Sequence, residues 1–258
     1  MSQKSDIEWT DATWNPVSGC SKVSPGCAHC YAERLSLRFG HSKLPWTPAN
    51  ADENVVLHEG RLLVPVSWRE PRMIFVNSMS DLFHELVPDE FIGQVFETMR
   101  VARHHTYQIL TKRPERMRDW FRTDAGRPWA AEPLPNVWLG TSIELNRWVH
   151  RAVALRETPA AIRFISAEPL LGPLPDLDPA GIDWLIVGGE SGSNHRPMDL
   201  DWARDIRDRC QVAGTSFFFK QLGTTLAKAA NSRDRKGVHP DDWPADLRLR
   251  EMPSGSRG

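Results

Sequence analysis

Three of the chain's four cysteines stand in one stretch, GCSKVSPGCAHCYAERL, at Cys20, Cys27 and Cys30. The C-x6-C-x2-C spacing gathers three soft sulfur ligands in a single loop, just ahead of residues that read as a helix. A structural zinc ion is normally closed by four Cys or His ligands. The nearest fourth candidates are His29 and His41, and His29, between Cys27 and Cys30, would have to fold back on its neighbours. A [4Fe–4S] cluster usually takes one thiolate per iron, so three thiolates leave one iron open to a small molecule. Pro25-Gly26 supplies the tight turn that lets such a loop curl around a bulky group. An iron–sulfur cluster, a zinc ion and a metal-free loop are all open readings at this point. Cys210 is of another kind: with Trp202 and Ile206 it forms an i, i+4, i+8 row that reads as the buried face of a helix.

The elements that must position this loop follow a recurring pattern. Short β-prone runs end in small or polar residues and lead into helical stretches. The runs are MIFVN (73–77), YQIL (107–110), VWLGT (137–141), IRFIS (162–166), DWLIV (183–187) and SFFFK (216–220), with a shorter TWNPV (13–17) before the cysteines. Between them lie PDEFIGQVFETMRVA, PERMRDWF, ELNRWVHRAVALRE and LDWARDIRDRCQVAG, each apolar at helical spacing. Strands alternating with helices predict an α/β fold with parallel strands and right-handed crossovers, and the number of units suits a complete or partial barrel. ENVVLHEGRLLVPVSW (53–68) reads as a hairpin insertion turning near Glu59-Gly60. The expected organisation is a barrel over residues 1–230 and a C-terminal tail over 231–258, rich in charge, Gly and Pro, that wraps the surface or is partly disordered.

The residues after each run carry the chemistry: SMSDLFHE, TKRPER, SIE, AEPLLG, GGESGSNHRP, then Lys220 and Gln221. Sites in barrels are built at that end of the strands, so the pattern points to an enzyme. The 258 residues carry a net charge of −1, which draws no polyanion to the molecule as a whole. No apolar run reaches the length of a membrane span, the N-terminus lacks a signal-peptide core, and clustered cysteines do not suggest a disulfide framework. A cytoplasmic monomer is expected.

The cysteine loop after a first strand, followed by β/α units with polar ends, resembles the radical S-adenosylmethionine enzymes, although their usual first gap is three residues and His29 takes the place of their aromatic residue. More closely, WTDATWNPVSGC, GCAHCYAERL, FVNSMSDLFHE, ILTKRPERM, WLGTSIE, RFISAEPLLGPL, WLIVGGESG and FFFKQLG resemble an uncharacterised family common in bacteriophage and bacterial genomes. That family in turn resembles spore photoproduct lyase, which repairs a thymine photoproduct. The resemblance implies a partial (β/α)6 TIM-like barrel, with a [4Fe–4S] cluster held by Cys20, Cys27 and Cys30 and S-adenosylmethionine chelating the open iron. It further implies that Asn77, Ser78, Ser80 and Asp81 lie near the cofactor's amino group or ribose, and that Lys112 meets its carboxylate. The chemistry implied is reductive cleavage of the cofactor to a 5′-deoxyadenosyl radical, with electrons from a reductant such as flavodoxin or ferredoxin.

Each candidate also has a plainer reading. Asp81 could be a helix cap, but its place at a strand end favours function. Glu168 stands in an otherwise apolar stretch where a carboxylate wants a partner, and it joins the candidate cofactor residues. Gly188, Gly189 and Glu190 do not occupy the place of the Gly-Gly-Glu motif of radical enzymes, and Glu190 is left as a candidate substrate contact. The run TKRPERMRDWFR offers Arg113 and Arg116 as further substrate contacts, with Trp120 and Trp129 nearby for base stacking, while Arg116, Arg118 and Arg122 also suit a solvated helix face. A base or nucleotide substrate is the class this implies. The alternative is a zinc-stabilised nucleic-acid-binding protein without catalysis.

Overall fold

Burial of the strand runs on both faces, a mark of parallel sheets covered by helices, is the first thing the computed structural model makes plain. It describes residues 4–253, which fall into two units. The first holds the chain up to Gly140 together with Glu157–Ala161, and the second holds Thr141–Arg156 and the residues from Ile162 onward.

In the first unit β1 (Ala12–Trp14) and β2 (Val17–Ser18) precede the cysteine loop, and α1 (Tyr31–Arg38) follows it. After α2 (Ala51–Asn54) and β3 (Val56–Leu57) come β4 (Met73–Val76), α3 (Asp89–Val101), β5 (Thr106–Thr111), α4 (Pro114–Trp120) and α5 (Arg127–Ala131). β6 (Val137–Ser142) then carries the chain into the second unit. β4 lies parallel between β1 and β5, with Trp14 opposite Val76 and Val76 opposite Ile109. Tyr107 N donates to Asn136 O at 2.8 Å, which brings the start of β6 alongside β5. The helices start where their sequences say they should. Pro88 caps α3, whose first turn holds Asp89 and Glu90 against the positive end of the helix dipole. Pro114 opens α4, where its missing N–H costs nothing. Phe91, Ile92, Val95, Phe96 and Met99 form the buried face of α3.

The second unit contains α6 (Arg151–Arg156), β7 (Ile162–Ala167), β8 (Trp184–Gly188), α7 (Leu200–Ala213), β9 (Ser216–Gln221) and α8 (Thr224–Ala229). Its strands are again parallel and in chain order, with β8 between β7 and β9. Ile143 N, just past β6, donates to Ser166 O on β7. In α7 the Asp199 side chain accepts from Asp201 N, and Gly214 at φ +72° ends the helix in the left-handed conformation. Cys210 is fully buried on that helix, and burial pushes its thiol up to about 12.

One expectation is revised and one is narrowed. Residues 53–68 do not form a hairpin. β3 pairs antiparallel with β2, and two 3-10 turns follow, Glu59–Arg61 and Val64–Ser67. Pro65 has no N–H to offer a returning strand, and Trp14 Nε1 donates to Arg61 O at 2.8 Å, holding that carbonyl against the sheet. Of the two readings of the tail, residues 231–253 follow the first and pack along β9. Phe219 N donates to Leu249 O, Glu251 N to Phe217 O, and Trp243 and Leu247 are buried. The part of the disorder expectation that falls on 254–258 lies outside the described residues.

Candidate functional site

The cysteine loop is pinned at its root by a glycine. Gly19 has φ +82°, its N–H donates to Met79 O at 3.0 Å, and it bridges Ser80 in parallel fashion. A Cβ at this position would lie 1.8 Å from Asn54 O, so no other residue fits without moving backbone. From there the chain passes through Cys20 and Ser21 to a 3-10 turn at Pro25–Cys27, and Cys30 forms the N-cap of α1. Lys22 Nζ pairs with Glu33 at 2.8 Å, while Glu33 Oε1 accepts from Trp46 N, which ties the loop to α1 and to the following segment. All three thiols are half-buried.

Beneath the loop, the ends of β4 and β5 supply a charged network. Asp81 accepts from Thr111 Oγ1 at 2.7 Å, Phe83 N at 3.0 Å, Arg113 Nη1 at 3.1 Å and Lys112 N at 3.2 Å. Arg113, only 5% exposed, also donates to Cys20 Sγ at 3.7 Å, to Ser21 O and Oγ at 3.2 and 3.0 Å, and to Glu85. His84 Nδ1 accepts from Leu86 N, so its Nε2 is left to donate to Ser21 Oγ at 2.8 Å. Burial first, and the Asp81 carboxylate second, push the Cys20 thiol up to about 12 against the pull of Arg113. Burial likewise raises Cys30, opposed by the Glu33 N–H and by Lys112. Without a metal both sulfurs therefore hold their protons at neutral pH, and a metal would take the proton's place.

The other residues singled out in the sequence fall as follows. Asn77 N–H donates to Trp14 O and its Oδ1 accepts from Val17 N, with the residue held at φ +60°. Its Nδ2 is buried without a hydrogen-bond partner. Ser78 meets Asn15, its carbonyl accepts from Tyr31 Oη at 2.7 Å, and Ser80 Oγ donates to Val17 O. Lys112 lies within electrostatic reach of Cys30. Arg116 donates to Val87 O at 2.8 Å and pairs with Asp89, so both it and Arg113 are engaged inside the unit.

Glu168 and Glu190 belong to the second unit, where three strand ends meet. Glu168, beyond β7, accepts twice from Lys220 Nζ on β9, at 2.7 and 2.9 Å. Gly188 at the end of β8 packs beside Glu168: a Cβ there would make ordinary contact with Glu168 Cδ at 3.5 Å and press on Gln221 Cγ at 3.3 Å. Glu190 is bound by the main-chain and side-chain nitrogens of Arg196, which closes the loop after β8. Sequence reasoning did not foresee Lys220 as the partner of Glu168, Arg196 as the partner of Glu190, or Arg113 as the partner of Cys20. The available signal was a cation at a strand end or in the loop after it, read one residue at a time.

Among the described residues no three His, Cys, Asp or Glu side chains form a set that would hold a single metal ion. A cluster that takes one thiolate per iron asks less of such convergence than one zinc ion does. The donor set suits it: three sulfurs in one loop, with Cys27 within electrostatic reach of both Cys20 and Cys30 and with cations beside the outer two. No helix among the described residues is long and apolar enough to cross a membrane.

The chain matches a family model described as "Protein of unknown function (DUF5131)" over residues 4–244. No curated protein and no solved structure matches it.

Proposed function

The chain belongs to the DUF5131 family, and for a member with this site we propose the activity of a radical S-adenosylmethionine enzyme. One observation carries the reading: Cys20, Cys27 and Cys30 share a glycine-rooted, half-buried loop flanked by Arg113 and Lys112. Three protein sulfurs without a fourth suit a cluster whose remaining iron binds the cofactor. When bound, that cluster supplies the electron that cleaves the sulfonium C–S bond of S-adenosylmethionine. The finer fold we propose is the partial (β/α)6 barrel, supported by parallel strands in chain order with intervening helices in each unit.

The chain's own residues bind, orient and exclude water. The buried Asn77 Nδ2 is an unused donor, the kind of group that a ligand satisfies. An amide N–H2 donates, so its partner is an acceptor of the cofactor, a carboxylate or ribose oxygen, and not the ammonium group. Lys112 supplies a positive charge near Cys30, which suits a cofactor carboxylate. Asp81 acts indirectly, because its oxygens already serve β5 and Arg113. The substrate class carried by the resemblance is a base or nucleotide, and its phosphate contact is not assigned to Arg113 or Arg116, whose guanidinium groups are engaged internally.

The reading is tested by anaerobic reconstitution with iron and sulfide, followed by iron and sulfide analysis and electron paramagnetic resonance. About four irons per chain and a reduced-state signal that changes on adding S-adenosylmethionine are expected. A spectrum indifferent to the cofactor would refute it.

A further inference from the structure

We infer that Arg113 is a positioning residue for the cysteine loop, whose guanidinium fixes Cys20 and stabilises the electron added when a cluster on Cys20, Cys27 and Cys30 is reduced. The inference rests on the cluster reading proposed above and gives this arginine, which the sequence offers as a phosphate contact, a different task.

Its geometry is over-determined. One terminal nitrogen of the guanidinium reaches both Cys20 Sγ and Asp81 Oδ2, and the other reaches Ser21 O and Ser21 Oγ. Nε donates to both oxygens of Glu85, at 2.9 and 3.0 Å. Asp81 is itself held by β5 through Thr111 Oγ1 and Lys112 N, so the cation cannot drift from the sulfur without breaking contacts to β5. The Arg113 N–H meanwhile donates to Thr111 Oγ1 at 2.9 Å, which sets the direction in which the side chain leaves the strand end. Only a planar fork with five donors serves all these acceptors together; a lysine offers one point charge and three donors.

A charge at that place bears on electron uptake. Reduction adds one electron to the cluster from an external one-electron carrier, and Arg113 neither gains nor loses a proton. The added negative charge is shared with the ligating sulfurs. A donor and cation at Cys20 therefore favour the reduced state, since hydrogen bonds to the sulfurs and local charge set the potential of such clusters. The side chain is 5% exposed, so solvent screens this interaction little. Asp81, on the same guanidinium nitrogen as Cys20 Sγ, and Glu85, 62% exposed and more screened, oppose the effect. Both carboxylates stay in the Arg113 variants, so the substitutions read the cation alone.

The test uses the full chain, reconstituted, as wild type, Arg113→Lys, Arg113→Gln and Arg113→Met, in a redox titration followed by electron paramagnetic resonance. At a fixed applied potential the ratio of reduced to oxidised cluster in the two neutral variants should be about tenfold lower than in wild type, a midpoint lowered by about 59 mV for a one-electron couple. Arg113→Lys should fall between, because it keeps the charge and loses the fork. A neutral variant that retains iron and titrates with wild type overturns the inference. If both neutral variants lose iron, Arg113→Lys decides: a lowered potential supports the assignment, and an unchanged one overturns it. A wild-type protein that takes up no iron and sulfide refutes the cluster reading itself and this inference with it, an outcome distinct from a loaded wild type whose variants match it.

Discussion

At the scale of single residues, the site depends on positions where only one side chain works. Gly19 combines φ +82° with a neighbouring carbonyl where a Cβ would stand. Gly19→Ala should destabilise the protein by at least about 2 kcal/mol, through backbone strain and displacement of residue 54. Urea denaturation measures this, and a loss below half that figure would mean that the loop root yields easily. Asn77 spends strain and a buried, unpartnered donor at the end of β4. Such a combination calls for an explanation, which is why we propose it as a ligand contact. Arg113 shows how an isolated residue misleads. In sequence it belongs to a basic run, but its partners lie at positions 20, 21, 81 and 85, and only the fold brings them to it.

Elements set the second scale, and their stability rests on pairs that cannot be halved. Arg151 on α6 is 2% exposed, donates to Ser142 O and pairs with the fully buried Glu144. Arg151→Met would take this ion-pair partner away from a buried carboxylate, and should cost about 3–5 kcal/mol. The double variant with Glu144→Gln should recover part of the loss in the same denaturation experiment. The tail offers a pH test. Hydrogen bonds from Arg204, and then from Arg207, hold the Asp246 carboxyl down at about 2, below the ordinary 3.8. A group depressed in this way adds stability above its unfolded value, and the contribution fades as pH falls toward the folded one. The stability difference between wild type and Asp246→Asn should therefore shrink between about pH 4 and pH 2. Asp246 is well exposed, so the difference will be small at high salt.

The elements were also the most legible part of the sequence. All six longer apolar runs are strands, because covered parallel strands need continuous apolar residues and leave that mark. Pro88 at the cap of α3 and Pro114 in the first turn of α4 stand where a proline's fixed φ and missing N–H cost nothing. The hairpin was misread because its alternation was local, whereas the pairing partner of β3 lies at Val17–Ser18 and Pro65 ends the return. In the first unit, the three cysteines announced themselves by spacing. The Glu168–Lys220 pair did not, since its members are far apart in sequence and meet only because β7 and β9 flank β8.

At the scale of the whole molecule, the family match runs over residues 4–244 and takes in residues of both units. The most direct measurement of the proposed activity is turnover of the proposed cofactor. The protein, reconstituted without oxygen, is given dithionite and S-adenosylmethionine, and 5′-deoxyadenosine is quantified by chromatography. Cys27→Ser is the control, because Cys27 Sγ meets Ser24 Oγ only at 3.9 Å and the loop's anchors lie elsewhere. The account predicts 5′-deoxyadenosine from wild type and none from Cys27→Ser. A colourless protein that binds one zinc ion, and leaves the cofactor intact under the same reductant, would contradict it.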